Sequence, residues 1–182
     1  MKRATIFLFA LSALVTGVFA RDDYSINKIT AGFVQTPQIN FSGNVKAAPP
    51  QQMWLEVEVE FKSLVEFTDS LEFKYFVFLD NKCTAGSVTH VNIPKGNLLS
   101  VMYESPMAIA RLAKGRSSKS VTEVTVQVLD KGQVVAEKSL KNTPTGWWTK
   151  LDQNPGCLLN KNQTPFAPLY WDRYMEIKSA AQ

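Results

Sequence analysis

The stretch Leu55-Glu56-Val57-Glu58-Val59-Glu60-Phe61-Lys62 alternates apolar and charged residues without a break. Successive side chains of a strand point to opposite faces, so this octapeptide makes a ribbon with one apolar face and one charged face. Residues 71–79 begin with the same alternation and then become apolar on both faces around Phe76 and Phe78. That change predicts a strand whose second half is covered on both sides. Residues 121–129 and 134–140 are β-branched runs flanking Asp130-Lys131-Gly132-Gln133, the pattern of a hairpin. Two further strands are expected at 89–93 and 98–103, joined by a turn at Pro94-Lys95-Gly96-Asn97. Residues 26–41 carry one or two weaker strands, with Pro37 favouring an edge position.

One helix interrupts this pattern, at 105–115. Ser105 can cap its free N–H groups, Pro106 suits the first turn and Gly115 can end it, with Met107, Ile109 or Leu112 facing the core. Seven to eight strands separated by turns, with one short crossover helix, favour an all-β, immunoglobulin-like antiparallel sandwich over a βαβ sheet. Residues 142–163 are rich in Pro, Gly, Asn and Thr, and 164–178 are dense in aromatics. This tail, from about residue 142 to 182, is expected to wrap the sandwich.

Residues 1–20 read as a secretory signal peptide: Lys2 and Arg3 precede an apolar run that closes on Val18-Phe19-Ala20. The apolar run is short for a bilayer span, which needs about 20 residues, so no transmembrane anchor is expected. Position 21 is Arg and not Cys, so no lipoprotein anchor is expected. Residues 21–182 suit a single domain, since one core serves roughly 100–200 residues. Without Lys2 and Arg3, 18 basic residues face 16 acidic ones, a net +2. So mild a charge, with its basic cluster at Lys114, Arg116 and Lys119 in a Gly/Ser-rich turn, argues against nucleic acid as a partner.

Cys83 and Cys157 are the only cysteines, and an exported chain meets conditions in which disulfides form. A Cys83–Cys157 bridge is the leading expectation, with two separate thiols as the alternative. Neither belongs to a CxxC motif, so redox catalysis and zinc ligation have no sequence support. His90 is the single histidine and falls inside an expected strand. Ser87 and Cys83 lie near it without a nucleophile-elbow pattern, which leaves a hydrolase as a third reading only. Glu56, Glu58 and Glu60 share a strand face and read as a solvated surface before they read as a carboxylate pair. Asp69, Asp80 and Asp130 fall near expected turns, where they can bond their own backbone. No catalytic, cofactor or metal residue is assigned.

Trp147-Trp148 and Tyr170-Trp171 are the candidate binding residues, because paired aromatics outside strands can anchor a protein partner or stack on a sugar. Trp147 and Trp171 are expected inward, with Trp148 and Tyr170 left as surface platforms. Asn40-Phe41-Ser42 and Asn162-Gln163-Thr164 match the N-glycosylation pattern.

The tail Thr164-Pro165-Phe166-Ala167-Pro168-Leu169-Tyr170-Trp171-Asp172-Arg173-Tyr174, with Ser105-Pro106-Met107-Ala108-Ile109-Ala110-Arg111 before it, resembles a family of exported immunoglobulin-like proteins of gut Verrucomicrobia associated with type IV-like pili. The resemblance implies a bacterial envelope location (periplasm, outer surface or secreted) and brings no catalytic residues. The long N-terminal apolar helix by which a pilin polymerises is not expected here, which favours an accessory or surface-exposed role over a shaft subunit. The combined expectation is a non-enzymatic exported protein acting through protein contacts, as a pilus-associated or host-contact component. The alternative is a carbohydrate-binding module that uses its exposed aromatics.

Overall fold

The computed structural model describes residues 23–38, 51–113, 121–170 and 172–179. Its strands are β1 (Tyr24–Gln35), β2 (Met53–Leu79), β3 (Lys82–Glu104), β4 (Val121–Asp130), β5 (Gln133–Ser139), β6 (Gln153–Pro155) and β7 (Leu158–Asn160), with one helix, α1 (Pro106–Leu112), between β3 and β4. They form one open sheet of order β5-β4-β2-β3-β6, with β1 paired to β2 and β7 to β3. Every pairing is antiparallel except β3 with β6. The signal peptide, Asn40, Gly115, the basic cluster at 114–119 and Trp171 lie outside the described residues.

β2 has 27 residues. Fully extended it would reach about 90 Å, whereas a globule of this size is about 40 Å across, so the strand has to bend. It bends where its register with β3 slips: Ser63 faces Gly96 and Phe67 faces Pro94, so β2 carries surplus residues at a bulged corner. Each long strand thereby contributes an arm to both layers of a sandwich. The first layer holds β1, the start of β2, the end of β3 and β7. The second holds the end of β2, the start of β3, β4, β5 and β6. Between them lie Leu55, Val57, Val59 and Phe61 from one arm of β2 and Phe73, Tyr75 and Val77 from the other, with Val124, Val126 and Val128. Phe61 and Phe73 meet edge to face at 4.8 Å across the fold. Gly86 marks a close approach, since a Cβ there would lie 2.7 Å from Cβ of Leu158.

The fold class is all-β, a sandwich with one short helix, but its strands are divided differently from the sequence reading. Pro94-Lys95-Gly96-Asn97 does not separate two strands. It is the inner side of the corner within β3, and 55–62 and 71–79 are likewise two arms of β2. Among the described residues of the region 26–41 there is one strand, β1, which ends before Pro37. The hairpin between β4 and β5 turns on Lys131 (φ 50) and Gly132 (φ 82), a two-residue loop with both residues left-handed. Asp80 (φ 48) and Asn81 (φ 61) make the same kind of turn between β2 and β3. In α1 the Ser105 hydroxyl accepts from Ala108 N at 3.1 Å, and Ile109 and Leu112 face inward while Met107 stands in solvent.

The tail covers the outer faces. Phe166 stacks on Tyr103 at 4.4 Å and meets Trp54 edge to face, closing a second cluster on the first layer. On that layer the glutamate face is not simply solvated: Arg173 donates twice to Glu58, at 2.9 and 2.7 Å, and the Tyr174 hydroxyl donates at 2.6 Å. Farther on, Val91 N donates to Glu176 O and Lys178 N to Thr89 O, which fastens the tail to β3.

Candidate binding groove

Phe76 and Phe78 point away from the central core of the second layer, as their break from alternation predicts, and the segment 141–151 lies over them. Trp148 is the anchor. It is buried and stacked on Phe76, with ring centroids 4.5 Å apart. Trp147 stands half-buried beside it, edge to face with Trp148 at 5.7 Å and with Phe78 at 5.9 Å. Its indole N–H donates to Thr125 Oγ1 at 2.7 Å, so the polar edge is occupied and a ring surface remains. The expected roles of the two tryptophans are therefore exchanged. Gly146, with φ 80, opens the short 3-10 turn that holds both rings, and Thr149 N closes it on Gly146 O.

Between this segment and the sheet runs a partly open groove of about 660 Å³. Its apolar wall is Phe78, Pro144, Trp147 and Leu151, and Lys141 and Lys150 contribute to its lining. Such a volume lies in the range of pockets that enclose a drug-sized group. Glu123 also lines the groove, but its carboxylate is engaged: it accepts from Val124 N at 2.9 Å, Lys141 N at 3.1 Å and the Thr143 hydroxyl. That carboxylate ties the loop to β4. The groove thus offers an apolar floor with cationic side chains alongside.

Tyr170 is exposed and lies beneath the Arg173 guanidinium, 5.9 Å from it, in the part of the tail that covers the first layer. It is not brought together with the tryptophan pair. Since Trp148 is 5% exposed, it offers no free face on which a sugar could stack, which removes the Trp148 and Tyr170 platform. Residues of the groove that the sequence did not single out include Glu123, Lys141, Pro144, Lys150 and Leu151. The available signal was the turn-forming Thr143-Pro144-Thr145-Gly146 directly before two tryptophans.

Cys83 and Cys157 are free and buried, and the expected bridge is not formed. They occupy different surroundings. Cys83 joins Phe76 and Trp148 on the outer face, where burial raises its thiol to about 11. Cys157 accepts from Arg111 Nη2 at 3.0 Å near the inward-facing Glu104, and its thiol is pushed up by burial first and by the Glu104 charge second.

His90 is buried in β3 and partnered by Ser100, not by Ser87 or Cys83. The Glu176 carbonyl can only accept, so His90 Nδ1 carries the proton at 3.2 Å and Nε2 receives the Ser100 hydroxyl at 2.7 Å. Tyr75 then donates to Ser100 Oγ at 2.6 Å. Burial lowers His90 to about 4, and its hydrogen bonds to the tail backbone only partly oppose this. A serine and a histidine at this separation have the reach of a nucleophile and base, but His90 is 1% and Ser100 0% exposed. The chain of bonds joins the two arms of β3 to the tail.

A protein-family profile matches residues 19–181, nearly the full chain. The protein belongs to that family. A solved structure from Akkermansia muciniphila is similar to it, with 26% identity and a TM-score of 0.73 over 87% of this chain and 94% of that one. That organism is a verrucomicrobium, in keeping with the resemblance in the tail and the α1 segment. No curated protein matches the chain.

Proposed function

We propose that this is a non-enzymatic exported protein of the bacterial envelope that acts through protein contacts, as a pilus-associated or host-contact component, with the groove of Phe78 and Trp147 as its contact surface. The observation that carries the reading is the apolar groove on a rigid sheet, while the polar groups best suited to chemistry are spent on internal bonds. Loops held on a β scaffold are common carriers of recognition, and half-buried tryptophan is a frequent anchor of protein interfaces. The envelope setting rests on the resemblance of the tail and the α1 segment to exported verrucomicrobial proteins, and the similar structure comes from an organism of that group.

The test is co-purification from the native envelope with wild type and Leu151→Asp, a change at a partly exposed groove residue. A partner recovered with wild type and lost with Leu151→Asp, at unchanged thermal stability, is the expected result. Equal recovery with both proteins removes the groove from the contact, and recovery of nothing with either refutes the protein-contact reading.

A further inference from the structure

The groove's charge and shape specify its occupant more narrowly. Lys141 and Lys150 make no ion pair among the described residues, whereas Lys28, Lys74, Lys95 and Arg173 each have a carboxylate within 4.0 Å. Glu123 offsets one of the two charges, and both its oxygens already accept protein donors. What remains is net positive, and it lies beside a wall of Phe78, Pro144, Trp147 and Leu151 whose indole donor is taken. An apolar group entering there meets no unsatisfied donor on Trp147, and an anion beside it finds two ammonium groups that no described carboxylate pairs.

We infer that the groove binds an acidic peptide segment of the partner, which inserts a large apolar side chain against Phe78 and Trp147 while neighbouring carboxylates meet Lys141 and Lys150. This rests on the protein-contact reading above. A peptide fits better than a lone acyl chain because the groove is partly open along the surface and its two lysines lie nine positions apart on one loop, suited to more than one anionic group.

The probe is a seven-residue peptide with a Leu-Phe centre and acidic residues on both sides, titrated into the 15N-labelled mature protein. Controls are the same centre flanked by lysines, the acidic flanks around Ala-Ala, and dodecanoate. Saturable shifts centred on the Trp147 indole are expected with the first peptide alone. Affinity should fall about tenfold in Lys141→Ser/Lys150→Ser and decline with salt, since each partly exposed pair contributes modestly. Leu151→Asp should abolish the shifts while leaving the spectrum otherwise intact. Equal binding of the lysine-flanked peptide, indifference to the double lysine change, or binding of dodecanoate alone overturns the inference. A partner that co-purifies through the groove while the acidic peptide fails leaves the protein-contact reading standing and refutes only the acidic chemistry.

Discussion

Glu104 ends β3 with its carboxyl turned inward and no solvent exposure. One oxygen accepts from Thr84 at 3.4 Å and the other has no hydrogen-bond partner among the described residues. Burial raises its titration from 4.5 to about 7, an effect that Thr84 and the Arg111 charge reduce and Asp80 slightly increases. Folding therefore favours the protonated acid. The stabilisation is complete below the unfolded value near 4.5 and is lost as pH rises through 7, a difference of about 3 kcal/mol. His90 has the opposite sign: neutral in the fold and titrating near 4 against 6.5 when unfolded, it stabilises above 6.5 and loses about 3 kcal/mol as pH falls through 4. Over pH 4.5–7 the two nearly cancel. Glu104→Gln keeps the shape of the protonated acid and removes its titration. Urea unfolding of both proteins from pH 4.5 to 8.5 should give equal stability at the acid end and an advantage of about 3 kcal/mol to the variant at the alkaline end. The variant alone should then show the His90 loss on acidification. Parallel curves for the two proteins would refute the placement of an uncompensated carboxyl inside the sandwich.

Three other outcomes follow from packing. Gly86→Ala places a methyl 2.7 Å from Leu158 Cβ and 3.1 Å from Met102 Cε, and should cost about 1–3 kcal/mol in a thermal or urea melt; an unchanged melt contradicts the close approach of the layers. Val57→Asp puts an unpaired charge at a position with no exposure and should prevent folding or lower the melting temperature steeply, whereas wild-type melting refutes its core placement. Trp148→Ala removes the ring stacked on Phe76, at about 3 kcal/mol, and should weaken the near-ultraviolet dichroism that Trp147 and Trp148 generate together; retention of both signal and stability contradicts the anchor role.

Local features were readable where one residue's environment depends on its neighbours in sequence. The buried face of Leu55, Val57, Val59 and Phe61, the Lys131-Gly132 turn and the Ser105 cap are of this kind. The corner was not, because Ser63 to Thr68 continue as strand with Leu64 and Phe67 exposed, and Pro94 takes the place where a ladder bond is already interrupted. Once the corner is missed, His90 and Ser100 look like members of two neighbouring strands, although one bent strand places them 2.7 Å apart across the layers. The same holds for the glutamate face. Its alternation predicts solvent, and only the return of the tail brings Arg173 and Tyr174 onto Glu58. The two-sided apolar pattern at Phe76 and Phe78 did announce a cover, but which tryptophan stacked and which stayed half-open depended on the left-handed Gly146.

Site-specific photocrosslinking in the native envelope tests the central claim most directly. A photoreactive residue replaces exposed Thr145 in the groove in one protein and exposed Lys131, at the tip of the β4–β5 turn, in another. A discrete crosslinked partner from Thr145 and none from Lys131 is the predicted result, and the same band from both positions, or from Lys131 alone, would contradict the groove as the contact surface.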